Sequence, residues 1–519
     1  MPNRSTDELF QLIKSLDKGE KRSFKLYMKR SGGEDLKIIQ LFDALDRMEE
    51  YDEKVLLNRN KSIMKQQLSN MKASLYKQML ASLRQTRDDE NIDIYLNEQM
   101  GYARILYNKG LYYQALKILD KIKQIAKANN QVTFQLQVLF FEKKIEALHI
   151  TRSMENRAEQ LSHEVDEVNA QLSLMSKLSN LSLQLYSWYI KMGHARDEKD
   201  VTAVKMFFEA NMPSCSVSRM QFYEKMYLYQ SHCWYGFILQ DLLMYYRYSQ
   251  KWVDLFEQEP YMKKVEAVQY IKAMHNLLGA HFDTNNYSKF NEALKLFEEF
   301  SHSENANMNV NARIQTFVYL SIARINKHFL EGTFTEGLEI VPEIEEKLQE
   351  YHLQLDRHRI LVFYYKIACL YFGSGDNEKA IDYLNRIINW KVDLRTDLQC
   401  YARLLHLIAH YELGNYQLLE YLIKSVYRFM ANMKNLSVVE EEIFRFLRKS
   451  FSLAPNKIIP AFKSLKDKLQ RYEGNPLETR SFMYLDIIAW LESKIQNVPV
   501  EEVRRDKFKT GRKVKAVVE

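Results

Sequence analysis

Residues 365–388, YKIACLYFGSGDNEKAIDYLNRII, set small side chains at fixed places among tyrosines and leucines. Ala368 lies seven residues before Gly375, Ala380 five after and Leu384 nine after. This spacing describes one helix ending near Gly375, a turn through Asp376 and Asn377, and a second helix starting near Glu378. A glycine accepts the left-handed conformation that closes a helix. Alanines sit where two helix axes approach most closely, because a larger side chain would hold them apart. Tyr371 and Ile387 fill the flanking apolar slots.

The same grammar recurs around Gly110, where Ala103, Ala115 and Leu119 take the same offsets and Tyr112 lies two residues after the glycine. Partial copies centre on Gly332, Gly414 and Asn285. At the second alanine position the copy near Gly414 has Leu419 and the copy near Gly332 has Gly337, with Pro342 interrupting the following helix. From Asn285 onward the anchors are 47, 43 and 39 residues apart. Helix pairs repeated at such intervals are the sequence sign of an α-solenoid. Composition points the same way: 15 glycines and eight prolines in 519 residues are about a third of average usage. A chain this poor in breakers, and rich in good helix formers, reads as all-α.

These residues resemble the tetratricopeptide repeat family, most closely over 96–129 and 361–394. The resemblance implies an irregular α-solenoid of antiparallel helix pairs over residues 96–450. Its helices should be longer than the family's unit of about 34 residues provides. It also implies that the first helix of each pair lines a concave groove. Groove positions would be Arg104, Tyr107 and Asn108 in the first clear copy, and Val362, Tyr365, Cys369 and Phe372 in the later one. The later set is apolar and aromatic, so the implied ligand is an amphipathic helix or hydrophobic segment of a partner protein. The competing reading is that these aromatics pack between neighbouring repeats.

Residues 1–95 lack the repeat and read as a basic module with helices over 6–16, 18–31, 34–50 and 60–87. Residues 451–502 read as capping helices broken by Pro455, Pro460 and Pro476, and 503–519 as a basic, mobile tail. The net charge of +7 is concentrated at the two ends. Residues 54–87 hold eight basic side chains and no acidic one, with Met64, Leu68, Met71, Leu75, Met79 and Leu83 forming an apolar stripe. Lys61, Lys65, Lys72, Lys77, Arg84 and Arg87 lie off that stripe. They form either a face for phosphates and acidic proteins or a solvated face balanced by the acidic 43–53 segment.

No secretory leader is evident, and no window of about 18 uncharged residues suits a membrane span. The apolar run ILVFYYKIACLYF carries Lys366 and reads as a buried helix. Four scattered cysteines suggest a reducing compartment. Phosphate-cradling glycine loops and nucleophile elbows are absent from the sequence. His406 and His410 share a helix face without the glutamate of a zinc hydrolase, and read as packing residues, as the acidic run Glu440–Glu442 reads as a solvated helix start. No metal and no cofactor is expected. The sequence therefore points to a non-enzymatic, cytoplasmic, bacterial scaffold that binds a protein or peptide partner. Two alternatives stand beside it: an adaptor that grips nucleic acid or the ribosome through the basic module and tail, and a peptide-sensing regulator of tetratricopeptide type.

Overall fold

The computed structural model describes residues 7–30, 36–60, 62–86, 91–148, 156–390, 395–433, 436–472, 475, 477–478 and 486–518. Among them every regular element is a helix, and neighbouring helices pack in pairs. The chain divides into two compact units, residues 1–168 and 169–519.

Unit 1 opens with α1 (Glu8–Ser15), α2 (Lys18–Arg30), α3 (Leu36–Arg47), α4 (Glu53–Arg59) and α5 (Lys65–Thr86). The short α4, absent from the sequence reading, starts because the Asp52 carboxylate accepts from the Lys54 and Val55 amides. Leu68, Leu75 and Met79 of the α5 stripe are buried against Phe10, Ile13, Phe24 and Phe42. Met64 departs from expectation: it precedes the first turn of α5 and is 59% exposed.

The unit continues with α6 (Ile92–Asn108), α7 (Tyr112–Ala128) and α8 (Val132–Leu148). Ala103 and Ala115 lie fully buried in the core shared by α6 and α7. Gly110 closes α6 at φ +76°. The Leu111 amide donates to the Leu106 carbonyl and the Gly110 amide to that of Tyr107, which is the Schellman pattern.

The boundary between the units falls within α9 (Arg157–Met192). After α10 (Glu198–Asn211), unit 2 forms the pair α11 (Phe222–Ile238) and α12 (Leu242–Gln258), then the short α13 (Met262–Val265), then α14 (Ala267–Asp283) with α15 (Tyr287–Ser301). The four-residue α16 (Glu304–Asn307) leads to α17 (Val310–Glu331), followed by α18 (Phe334–Gly337) and α19 (Val341–Glu350). Next come the pairs α20 (Arg357–Ser374) with α21 (Asn377–Ile388) and α22 (Thr396–Glu412) with α23 (Tyr416–Asn432). The chain closes with α24 (Val438–Ser450), α25 (Pro455–Gln470), α26 (Ile487–Gln496) and α27 (Val500–Val518).

All five sequence anchors are left-handed: Gly110 at φ +76°, Asn285 at +53°, Gly332 at +68°, Gly375 at +92° and Gly414 at +71°. Two more turns use the same backbone with other residues, Asn130 at +56° and Gln240 at +58°. Gln240 lies 45 residues before Asn285 and so extends the same series backward. Small residues mark tight contacts. Ala368 and Ala380 are fully buried in one core, and a Cβ on Gly373 would fall 2.4 Å from the Phe334 ring. A Cβ on Gly337 would fall 2.8 Å from Leu370. Pro342 does interrupt the helix after Gly332, sitting in the first turn of α19, where a missing amide costs nothing.

Two expectations near the C-terminus are corrected. Pro460 lies inside the single helix α25 and does not separate short helices. Residues 503–518 belong to α27, and their first part is not a mobile tail. Val503 is buried, Arg504 donates to Asp486 and to the Phe329 carbonyl, and Phe508 meets Tyr287 edge-on. The helix reaches this site because Gly332 lacks a side chain: a Cβ there would fall 2.5 Å from the Arg505 amide nitrogen.

Candidate functional site

Unit 2 holds a cavity of about 900 Å³, a size suited to a small molecule or a short peptide segment. Its walls come chiefly from α9, α11, α14, α17 and α20, with Val500, Arg504 and Lys507 of α27 contributing one part. All four groove positions expected in the later repeat, Val362, Tyr365, Cys369 and Phe372, line it. Their intervals of three and four residues place them on one face of α20.

The cavity also draws in charge that, Lys366 apart, the sequence did not single out. Lys272, Arg359, Lys366, Arg395, Arg504 and Lys507 face it, against Asp283, Asp356 and Asp486. Lys366 donates to Asn326 Oδ1 at 2.6 Å and stands 5.4 Å from the Phe329 ring centroid. Arg359 donates to Gln315 at 3.0 Å, pairs with Asp356, and lies 6.0 Å from the Tyr319 ring. Arg395 pairs with Asp397 at 2.8 Å and covers the Tyr189 ring. Lys272 lies 4.7 Å from the Tyr186 ring and 5.4 Å from that of Trp234.

Burial dominates the titration of Asp283 and Lys366. Asp283 is pushed up to about 7 by burial, partly opposed by the Lys366 charge. Lys366 is pushed down to about 8 by burial, with Cys369 and Asp283 acting the other way. His275 stacks on Tyr319 with ring centres 4.1 Å apart, and burial plus the surrounding cations pushes it down to about 3. It is a neutral imidazole at pH 7. Burial pushes the Cys369 thiol up to about 12, so it is not a poised thiolate.

The other sequence-predicted positions meet different surroundings. Tyr107 packs between Tyr112 and Phe141, with Lys144 over its ring, while Arg104 and Asn108 are exposed. Lys61 and Arg87 lie outside the described residues. Lys65, Lys77 and Arg84 are exposed. Lys72 is not free for an external anion: its ammonium pairs with Asp7 at 2.7 Å and contacts Tyr51. Other lysines of the basic module reach the acidic segment, Lys21 to Asp46, Lys25 to Asp43, and Lys14 to the Asp46 carbonyl.

His406 and His410 are buried and meet edge to face at 4.5 Å, and burial pushes His406 down to about 4. Among the described residues no cluster of His, Cys, Asp or Glu could hold a metal, and no helix is long and apolar enough to cross a membrane. No family model and no curated protein matches the chain.

Proposed function

We propose that the helix pairs stack as an irregular solenoid of tetratricopeptide kind, and that the protein is a non-enzymatic cytoplasmic scaffold. A segment of a partner protein docks in the unit 2 cavity. The observation that supports this most is that α20 turns Val362, Tyr365, Cys369 and Phe372 into a cavity walled also by α11, α14 and α17, which belong to preceding helix pairs. A half-enclosed space with aromatic walls suits an apolar anchor of a docked segment.

A photo-crosslinking residue at Val362 tests the reading in native extract, with the exposed Met206 as control position. The expected result is a defined partner segment joined at 362 and not at 206. Equal labelling from both positions, or none from 362, overturns it. The nucleic-acid alternative has less support, because Lys14, Lys21, Lys25 and Lys72 are already engaged within unit 1.

A further inference from the structure

We propose that the cavity is an anion seat: its occupant carries a carboxylate or phosphate on an aromatic or apolar body, and sets that oxyanion against the Lys272 ammonium. This deepens the reading above, and rests on it only in taking the cavity as the occupied site.

The argument starts from unequal pairing. Lys366 has Asn326, Arg359 has Asp356, and Arg504 has Asp486. Lys272 alone among these four has neither a carboxylate nor a hydrogen-bond acceptor among the described residues; aromatic faces are what surround it. Removing an ammonium from water without a counterion is costly. A ring face returns only a small part of that. A half-buried cation held this way on a cavity wall marks where a ligand's negative charge is most stabilised.

The surroundings favour the same ligand. Burial lowers the proton affinity of Lys272 most; nearby Cys233 opposes this, Arg359 adds to it, and both cations add positive potential to the space. A seated oxyanion reverses that destabilisation. The rings of Tyr186 and Trp234 beside the ammonium offer the apolar body a surface. A cationic ligand would meet like charge, and a neutral one would leave Lys272 as it is.

The test is calorimetry on the full chain at low salt in two arms. One compares benzoate and phenyl phosphate with benzamide and phenol. The other compares an acetylated tetrapeptide with one glutamate between aromatic residues against its glutamine twin. In at least one arm the acid should bind about tenfold or more tighter than its neutral counterpart. Lys272→Met should erase that preference and Lys272→Arg should keep it, with circular dichroism confirming helix content in both. Equal binding of acid and neutral probe by the unaltered chain, no binding in either arm, or a preference that survives Lys272→Met overturns the seat. If neither free acid is preferred, both peptides bind alike and Cys369→Trp abolishes both, the docking reading stands while the seat falls. If only the free acids bind, the seat stands and the docking reading falls.

Discussion

In unit 1 the lysines that crowd the sequence end at nearby oxygens: Lys21 at Asp46, Lys25 at Asp43, Lys72 at Asp7. In unit 2 the notable cations are sparse in the sequence and turn inward, with Lys272, Arg359 and Lys366 on the wall of one cavity. Charge density along a chain thus says little about where charge is energetically exposed. A surface lysine beside a carboxylate contributes ~0–1 kcal/mol. A lysine among aromatic rings away from bulk water has a shifted titration and an unmet demand for a partner. In the reading proposed above, the working surface is the one where charge is isolated, the cavity of unit 2.

The contrast extends to glycines, where the largest effect is expected. Gly332 and Gly110 have similar left-handed φ, +68° and +76°. A Cβ on Gly110 meets nothing within 4 Å, whereas one on Gly332 would strike the backbone of Arg504 and Arg505. Gly110→Ala should cost ~1–2 kcal/mol from conformation alone. Gly332→Ala adds overpacking against α27 and should cost ~3 kcal/mol or more. Urea unfolding of the two variants checks this, and limited proteolysis should show α27 released in the second. Equal costs would mean that α27 does not depend on the gap at Gly332.

Next in size is the Asp283 and Lys366 pair. Lys366→Met leaves the Asn326 oxygen without its donor and removes the charge that opposes the desolvation of Asp283, and should cost ~1–3 kcal/mol. Lys72→Met in unit 1 should cost only ~1 kcal/mol, because its pair is partly solvated. The pH dependence follows from the titration of the unit 2 pair. With Asp283 raised from 3.8 to about 7, the folded chain holds a proton that the unfolded chain has released. Stability from this group therefore falls as pH rises from about 4 to about 7. Lys366, lowered from 10.5 to about 8, acts oppositely and adds stability between about 8 and 10.5. Asp283→Asn should gain on the unaltered chain as pH rises from 4 to 7. The depressed histidines are common to both chains and cancel in that difference. Thermal melts across this range measure it, and a constant gap would mean that Asp283 is not desolvated as described.

How far the sequence revealed this depends on the kind of signal. Turns closed by glycine were legible, because few other residues accept their backbone; Asn285 was found only through its neighbours' spacing. Asn130 and Gln240 close equivalent turns unannounced, since neither side chain compels a left-handed φ. That Val362, Tyr365, Cys369 and Phe372 share one face of α20 was legible from helical periodicity, and that face lines the cavity. Lys366 in ILVFYYKIACLYF was legible as a lone lysine in a buried helix, and Lys272 was not. What they face depends on Asp283, Asn326, Tyr186 and Trp234 from other helices, and no local pattern carries that. The packing of α27 was hidden for the same reason. Its anchors, Arg504 on Asp486 and Phe508 on Tyr287, join distant parts of the chain in a stretch whose composition reads as solvated.

The smallest effect should come from the exposed lysines and arginine of α5. Lys65, Lys77 and Arg84 keep their charges in solvent, so replacing all three with glutamine should change stability by less than ~0.5 kcal/mol. It should also leave acid binding by the unit 2 cavity intact, because that binding depends on Lys272. The same triple variant bears on the nucleic-acid alternative. For each phosphate that one of these side chains neutralises, its replacement would make the logarithmic salt dependence of RNA binding shallower by about one. Measured on an RNA column against the unaltered chain, no change in salt slope is expected. A slope shallower by two or three would make α5 the surface that works and the inward cations of unit 2 the structural ones, reversing the contrast between the two units.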